Sequence, residues 1–75
     1  MNFITKKVLE FQYKKLDDSK KRLNQHLEKR DSLINSDSDS KKEIEKIEKY
    51  IGIWNKNIQK IEKEIKKIEE KNLRL

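Results

Sequence analysis

The amino-acid sequence predicts an all-α protein, in which two long helices fold back as an antiparallel coiled-coil hairpin. Three observations carry this prediction. Apolar residues recur at alternating spacings of three and four in both halves of the 75-residue chain. One short run of small polar residues separates the halves, and within them no Pro and only one Gly occur. We expect a single domain over residues 1–75, with helices at about 2–34 and 40–73 and a hinge at 35–40.

The first helix is predicted to contact the second along an irregular seam. Its members are Leu9, Tyr13, Leu16, Lys20, Leu23, Leu27, Arg30 and Ile34. Two of them are basic, and long basic side chains can bury their methylene stems while the charge stays in water. We therefore expect Lys20 to lie on the ring of Trp54, and Arg30 to lie near Glu45 and Glu48.

The hinge is the run Asn-Ser-Asp-Ser-Asp-Ser at residues 35–40. These residue types favour turns and helix caps over helix interiors. Asn35 is expected to end the first helix in the left-handed conformation. Ser40 and Glu43 have the spacing of a capping box, in which each side chain bonds an amide at the start of the helix. The second helix is therefore predicted to begin at Ser40.

The second helix has the more regular seam. Its members are Ile44, Ile47, Ile51, Trp54, Ile58, Ile61, Ile65 and Ile68, continued by Asn72 and Leu75. Folding the chain about residues 37–38 brings the two seams together. The resulting pairs are Leu27 with Ile47, Leu23 with Ile51, Leu16 with Ile58, Tyr13 with Ile61, and Leu9 with Ile65. Since every partner lies in a seam, the pattern favours a hairpin over one continuous helix.

The first helix also carries apolar residues outside its seam. Ile4, Val8 and Phe11 follow one another at i, i+4 and i+7, which places them on a stripe of their own. One interpretation is a second interface. The alternative is a stutter that moves the seam onto these three residues and leaves Leu9 outside. Burying a side chain of this size is worth roughly 1.5–3 kcal/mol, so we expect another chain to cover the exposed stripe.

A second group of apolar residues surrounds the only glycine. Gly52 lies in a helix interior, where glycine costs about 0.5–1 kcal/mol relative to alanine. We expect it to allow close approach of another helix; the alternative is a tolerated glycine beside a lone exposed Ile53. From these two apolar groups together we predict that two hairpins pair as a homodimer, which would be a four-helix bundle. The predicted self-association or partner interface comprises Ile4, Val8, Phe11, Tyr50, Ile53 and Trp54.

The charge pattern supplies an alternative function. The chain has a formal charge of +6, but its Lys and Glu residues alternate as on a solvated coiled coil. Only three of its basic residues are Arg, the residue that nucleic-acid surfaces favour. The alternative is a helical hairpin that binds nucleic acid nonspecifically, and a membrane-surface role is less favoured still. The possible nucleic-acid contacts are Lys14, Lys15, Lys20, Lys21 and Arg22.

The residues needed for catalysis or for cofactor and metal binding do not occur in recognisable patterns. The chain has no Cys and one His, His26, so it cannot form a zinc site of the usual His/Cys type. It has no Gly-rich phosphate loop or nucleophile motif, and no apolar run approaches ~18–20 residues. We therefore expect no enzyme, no cofactor and no metal. The prediction is a cytoplasmic protein–protein interaction module, a small regulator, inhibitor or adaptor with a protein partner of unknown identity.

Overall fold

The computed structural model of the chain is an antiparallel hairpin of two α-helices. It describes residues 2–36 and 40–73, without the side chains of residues 72 and 73. Helix α1 spans Phe3–Asn35 and helix α2 spans Lys41–Leu73, each of 33 residues. The hairpin measures 58 × 14 × 13 Å. The predicted all-α hairpin is confirmed, whereas the continuation of the seam to Asn72 and Leu75 lies outside the described side chains.

Both ends of α1 are capped by side chains of polar residues. At the start, the Asn2 side chain accepts a hydrogen bond from the Thr5 amide at 2.7 Å. At the end, the amide and the hydroxyl of Ser36 both donate to the Leu33 carbonyl, at 3.3 and 2.9 Å. The prediction that Asn35 adopts the left-handed conformation is wrong, because Asn35 is the last helical residue and no described residue has a positive φ. Ser36 instead ends the helix in an extended conformation.

The start of α2 agrees with the predicted cap position. The Ser40 carbonyl accepts the first helical hydrogen bond, from the Ile44 amide at 2.9 Å. Glu43 lies in the first turn, where a negative charge is stabilised by the helix dipole. The side-chain bonds of the capping box between Ser40 and Glu43 stay a prediction. The middle of the hinge, residues 37–39, lies outside the described residues.

The seam of α2 is the one that the sequence predicts. Its most buried members within the described residues are Ile47, Ile51, Ile58, Ile61 and Ile65. Ile44, Trp54 and Ile68 are half-buried at the same spacings. The predicted meeting of Leu9 with Ile65 is confirmed, since both belong to one buried cluster with Ile61.

The seam of α1 differs from the prediction at three of its eight positions. Tyr13, Lys20 and Ile34 are exposed, and each is replaced in the seam by the residue immediately before it: Gln12, Ser19 and Leu33. Both choices satisfy a 3.5-residue period, and for Ser19 against Lys20 the chemistry of the side chain explains the outcome. A serine fits between two helices, whereas burying a lysine charge without a partner is strongly unfavourable.

This change of seam moves the contacts of the basic residues. The expected contact of Lys20 with Trp54 is wrong, and Arg22 lies over the Trp54 ring instead, 5.4 Å from its centroid. Arg30 is half-buried, but its hydrogen bond joins it to Asp31, at 3.4 Å, and not to Glu45 or Glu48. The carboxylate of the adjacent residue is within reach of the guanidinium without crossing to α2.

The buried and exposed isoleucines give a matched test of this core. Ile61→Ala should lower the free energy of unfolding by about 2–5 kcal/mol, because its side chain is only 9% exposed. Ile34→Ala removes the same atoms from a side chain that is 56% exposed and should change stability by no more than about 0.5 kcal/mol. Urea unfolding followed by circular dichroism measures both, at a chain concentration low enough for light scattering to give the mass of a single chain. Equal losses would contradict the placement of Ile34 outside the seam.

Candidate interaction surface

The contact line between α1 and α2 divides the hairpin surface into two long faces. On one face His26 and Tyr50 stack with their ring centroids 5.6 Å apart, beside the contact of Arg22 with Trp54. On the other face the Tyr13 hydroxyl donates a hydrogen bond to Glu69 at 2.6 Å. Because helical residues at i, i+3, i+4 and i+7 share a side, these contacts assign the other flanking residues to a face.

We call the face that contains Arg22 and Tyr50 the basic face. Among the described residues it carries seven basic and three acidic side chains, a formal charge of +4. The basic residues are Lys15, Arg22 and Lys29 of α1 and Lys46, Lys60, Lys67 and Lys71 of α2. The acidic residues are Asp18, Glu43 and Glu64.

We call the opposite face, which contains Tyr13 and Glu69, the acidic face. Its described residues include seven acidic and four basic side chains, a formal charge of −3. The acidic residues are Glu10, Asp17 and Asp31 of α1 and Glu45, Glu48, Glu62 and Glu69 of α2. The basic residues are Lys6, Lys20, Lys41 and Lys66. The excess positive charge of the chain therefore lies on the basic face and on the outer edges of the helices.

All six residues of the predicted interface lie on the basic face. Ile4 is 73%, Phe11 61% and Ile53 52% exposed, and Val8 and Tyr50 are each exposed by just over two fifths. Trp54, at the edge of the seam, is half-buried. The alternative of a stutter is wrong for this chain, because Leu9 is 7% exposed and packs in the core.

The six residues form two groups on this face rather than one patch. The N-terminal group is Ile4, Val8 and Phe11, and the central group is Tyr50, Ile53 and Trp54. Phe11 and Arg22, which covers Trp54, are eleven residues apart on one helix, or about 16 Å at 1.5 Å per residue.

An open groove adjoins each group. A groove of about 230 Å³ is lined by Ile4, Thr5, Val8, Ile68 and Lys71. A second groove, of about 370 Å³, is lined by His26, Lys29, Glu43, Lys46, Ile47 and Tyr50. Both combine an apolar or aromatic surface with Lys side chains. Such a lining suits a surface that carries apolar anchors and negative charge.

Gly52 does not belong to this face. Successive helical residues point about 100° apart, so Gly52 points to the acidic face although Tyr50 and Ile53 point to the basic one. Apart from the glycine, its two chain neighbours and the nearby backbone of its own helix, no described atom lies within 4 Å of the place where a Cβ would be. The expectation that Gly52 serves the same contact as Tyr50 and Ile53 is therefore wrong, and no packing inside the hairpin explains it.

Sequence reasoning missed the Tyr13–Glu69 pair because it assigned Tyr13 to the buried seam. The hydrogen bond to Glu69 raises the pKa of Tyr13 above its ordinary value of 10.0, with further contributions from desolvation and from the Glu69 charge. The signal available in the sequence was the hydroxyl itself, since a tyrosine prefers a position from which its polar end reaches water or a partner.

The five residues predicted for nucleic-acid binding do not face one way. Lys15 and Arg22 lie on the basic face and Lys20 on the acidic face, while Lys14 and Lys21 lie on the outer edge of α1. Lys21 pairs with Asp17 at 3.7 Å, and Arg22 pairs with Asp18 at 3.3 Å. A phosphate backbone laid along one face would therefore meet only part of this cluster.

Residues 2–36 and 40–73 bring no three His, Cys, Asp or Glu side chains together where they could hold a metal ion. Neither described helix has a segment long and apolar enough to cross a bilayer. Comparison of the chain with protein-family models, curated proteins and solved structures finds no match.

The Tyr13–Glu69 pair gives a titration that tests the assignment of the acidic face. In a Tyr50→Phe background, Tyr13 is the remaining tyrosine, and its ionisation can be followed by absorbance near 295 nm. Glu69→Ala should lower the pKa of Tyr13 toward its ordinary value, whereas Glu48→Ala, a carboxylate elsewhere on the same face, should leave it unchanged. A raised folded-state pKa means that the contribution of the pair to stability is complete below the ordinary pKa. That contribution is lost as the pH rises through the raised value.

A pKa of Tyr13 that does not respond to Glu69→Ala would contradict the pairing. An equal response to Glu48→Ala would also contradict it, because it would show that general negative charge and not one hydrogen bond is responsible.

Proposed function

We propose that this protein is a non-enzymatic protein–protein interaction module, a small regulator, inhibitor or adaptor that acts through the basic face. One observation carries the proposal: five large apolar side chains on that face are each at least 41% exposed. Covering a side chain of this kind is worth roughly 1.5–3 kcal/mol when its burial is complete. The residues are Ile4, Val8, Phe11, Tyr50 and Ile53.

The chemistry of the face supports a protein as its partner. The central group contains Tyr50 and Trp54, and aromatic residues are enriched at the centres of interfaces. The Tyr50 ring already stacks on His26, and the Trp54 ring already contacts Arg22. Both side chains therefore have little conformational freedom left to lose when a partner binds.

The small core of the hairpin supports association with a second copy as part of the same proposal. A chain of fewer than about 80 residues rarely obtains more than about 3–5 kcal/mol from one hydrophobic core. Here the α1 seam includes the polar residues Gln12, Ser19 and Arg30 among its leucines. A homodimer, which would be a four-helix bundle, would add apolar burial that the single hairpin lacks.

Two further aspects complete the proposal. The chain has no Cys and so does not depend on an oxidising compartment, which suits a cytoplasmic protein. The alternative function, nonspecific nucleic-acid binding through Lys-rich surfaces, has weaker support because its five residues are spread over two faces and one edge.

Site-specific photo-crosslinking tests the proposal. With benzoylphenylalanine in place of Phe11, illumination should yield a covalent adduct with a protein chain, either a second copy in the purified sample or another protein in an extract of cells that express the gene. The same label in place of Lys49, on the outer edge of α2, is the matched control and should give little adduct.

Substitution elsewhere on the face provides a second control. Ile53→Ser should reduce the adduct at position 11 several-fold without loss of the helical circular dichroism signal, because Ile53 is 52% exposed and lies outside the core. Leu9→Ser provides the contrast, because Leu9 is a buried core residue and its replacement should abolish the helical signal. Equal adduct yields at positions 11 and 49, or none at either, would contradict the proposal.

A further inference from the structure

We propose that the partner of the basic face is the acidic face of a second copy of the chain, so that hairpins stack on one another. The inference rests on the proposed function, because it names the partner that covers the same apolar residues. It replaces the symmetric pairing of two identical faces with pairing of two different faces, which is a heterologous interface.

The charges of the two faces support this pairing. The basic face carries +4 and the acidic face −3 among the described residues. Two basic faces placed together would oppose like charges, whereas a basic face on an acidic face joins opposite charges. Juxtaposed like charges suppress association, and complementary ones favour it.

The exposed apolar residues of the acidic face give independent support. Phe3 is 72%, Tyr13 50% and Ile34 56% exposed there. Symmetric pairing through the basic face would leave all three in water. Stacking covers the apolar residues of both faces, because each copy then uses one face above and the other below.

The order of charges along each helix suits copies stacked in the same orientation. A residue on the basic face and the residue two positions later, on the acidic face, lie about 3 Å apart along the helix axis. The basic face has ten charged residues, and for seven of them the residue two positions later carries the opposite charge. For one, Glu43, that residue carries the same charge, and for the other two it is uncharged. Stacking in the same orientation brings these residues to the same level. Examples are Lys15 and Asp17, Lys46 and Glu48, and Lys60 and Glu62.

The same arrangement accounts for Gly52. On the acidic face, the charged residues leave an uncharged strip at the level of Gly52, between Glu48 and Glu62. A copy stacked in the same orientation places its Ile53 over this strip. The open space at the missing Cβ of Gly52 would then be occupied by the neighbouring copy. A helix-interior glycine that nothing in its own chain explains thus acquires a packing role.

The dimensions of the hairpin are adequate for such a contact. A face of 58 × 14 Å has a projected area of about 800 Å², comparable to the roughly 800 Å² of accessible surface that each partner buries in an interface of standard size. The outer edges carry rows of Lys, such as Lys49, Lys56 and Lys63, that would remain in water and oppose lateral association. Because the two faces point in opposite directions, the contact does not close after two copies.

Charge reversal on one face at a time tests the stack. The variant Glu48→Lys/Glu62→Lys changes the acidic face from −3 to +1, and Lys46→Glu/Lys60→Glu changes the basic face from +4 to 0. All four residues are exposed, so helical circular dichroism should be retained. A second pair of variants on α1, Asp17→Lys/Asp31→Lys and Lys15→Glu/Lys29→Glu, gives the same test if either α2 variant loses its helical signal.

Molar mass by light scattering over a hundredfold concentration range is the readout. The unsubstituted chain should exceed the mass of two chains as concentration rises and should return toward one chain at high salt. Each variant alone should associate at least about tenfold more weakly. An equimolar mixture should form a species of two chains and stop there, because each variant retains one intact face that fits the other.

Four results would overturn the stack. Three of them are a constant two-chain mass of the unsubstituted chain, association that charge reversal does not change, and a mixture that fails to associate. The fourth is a single-chain mass at every concentration. In that case an adduct between position 11 and a different protein would still support the proposed function, so failure of one is distinguishable from failure of the other.

Discussion

The burial of the α2 isoleucines against α1 is the interaction on which the rest of the structure depends. Five of the six apolar residues that are most buried in the described chain belong to α2, and Leu9 is the only one from α1. The α1 seam alternates leucines with polar residues, so it closes the hairpin with fewer apolar contacts than a seam of the α2 type would. The result is a long, thin molecule whose one seam defines the register but leaves much apolar surface in water.

That register also sorts the charged residues. Antiparallel packing places one flank of α1 beside one flank of α2, and the contacts of Tyr50 with His26 and of Tyr13 with Glu69 show which flanks meet. As a consequence the basic side chains concentrate on one face and the carboxylates on the other. A chain of net charge +6 thereby acquires a negatively charged face, which its composition alone does not reveal.

The sequence predicts the seam of α2 well because its signals are redundant. An isoleucine or tryptophan occupies every seam position from Ile44 to Ile68, and apart from Tyr50 and Ile53 no neighbouring position carries a large apolar side chain. In α1 a 3.5-residue period admits either Ser19 or Lys20, and the decision depends on which side chain can be accommodated between two helices. The contact of Arg22 with Trp54 and the direction of Gly52 follow only after that decision.

The candidate surface was predictable in part for the same reason. Ile4, Val8 and Phe11 form a helical stripe of their own, and that stripe stays outside the core once Leu9 is buried. The common face of this stripe and of Tyr50 and Ile53 could not be predicted, because it depends on how the flanks of two helices meet. The opposite charge of the two faces required the same knowledge.

The central claim is that one seam holds the hairpin only marginally and that burial of the exposed faces by another chain completes its stability. Thermal unfolding at chain concentrations spanning a hundredfold range tests it most directly. If association contributes to stability, mass action requires the unfolding midpoint to rise with concentration, and we predict a rise of several degrees for the purified chain. A midpoint that stays the same across the whole range would show that the intramolecular seam alone stabilises the fold and would contradict the claim.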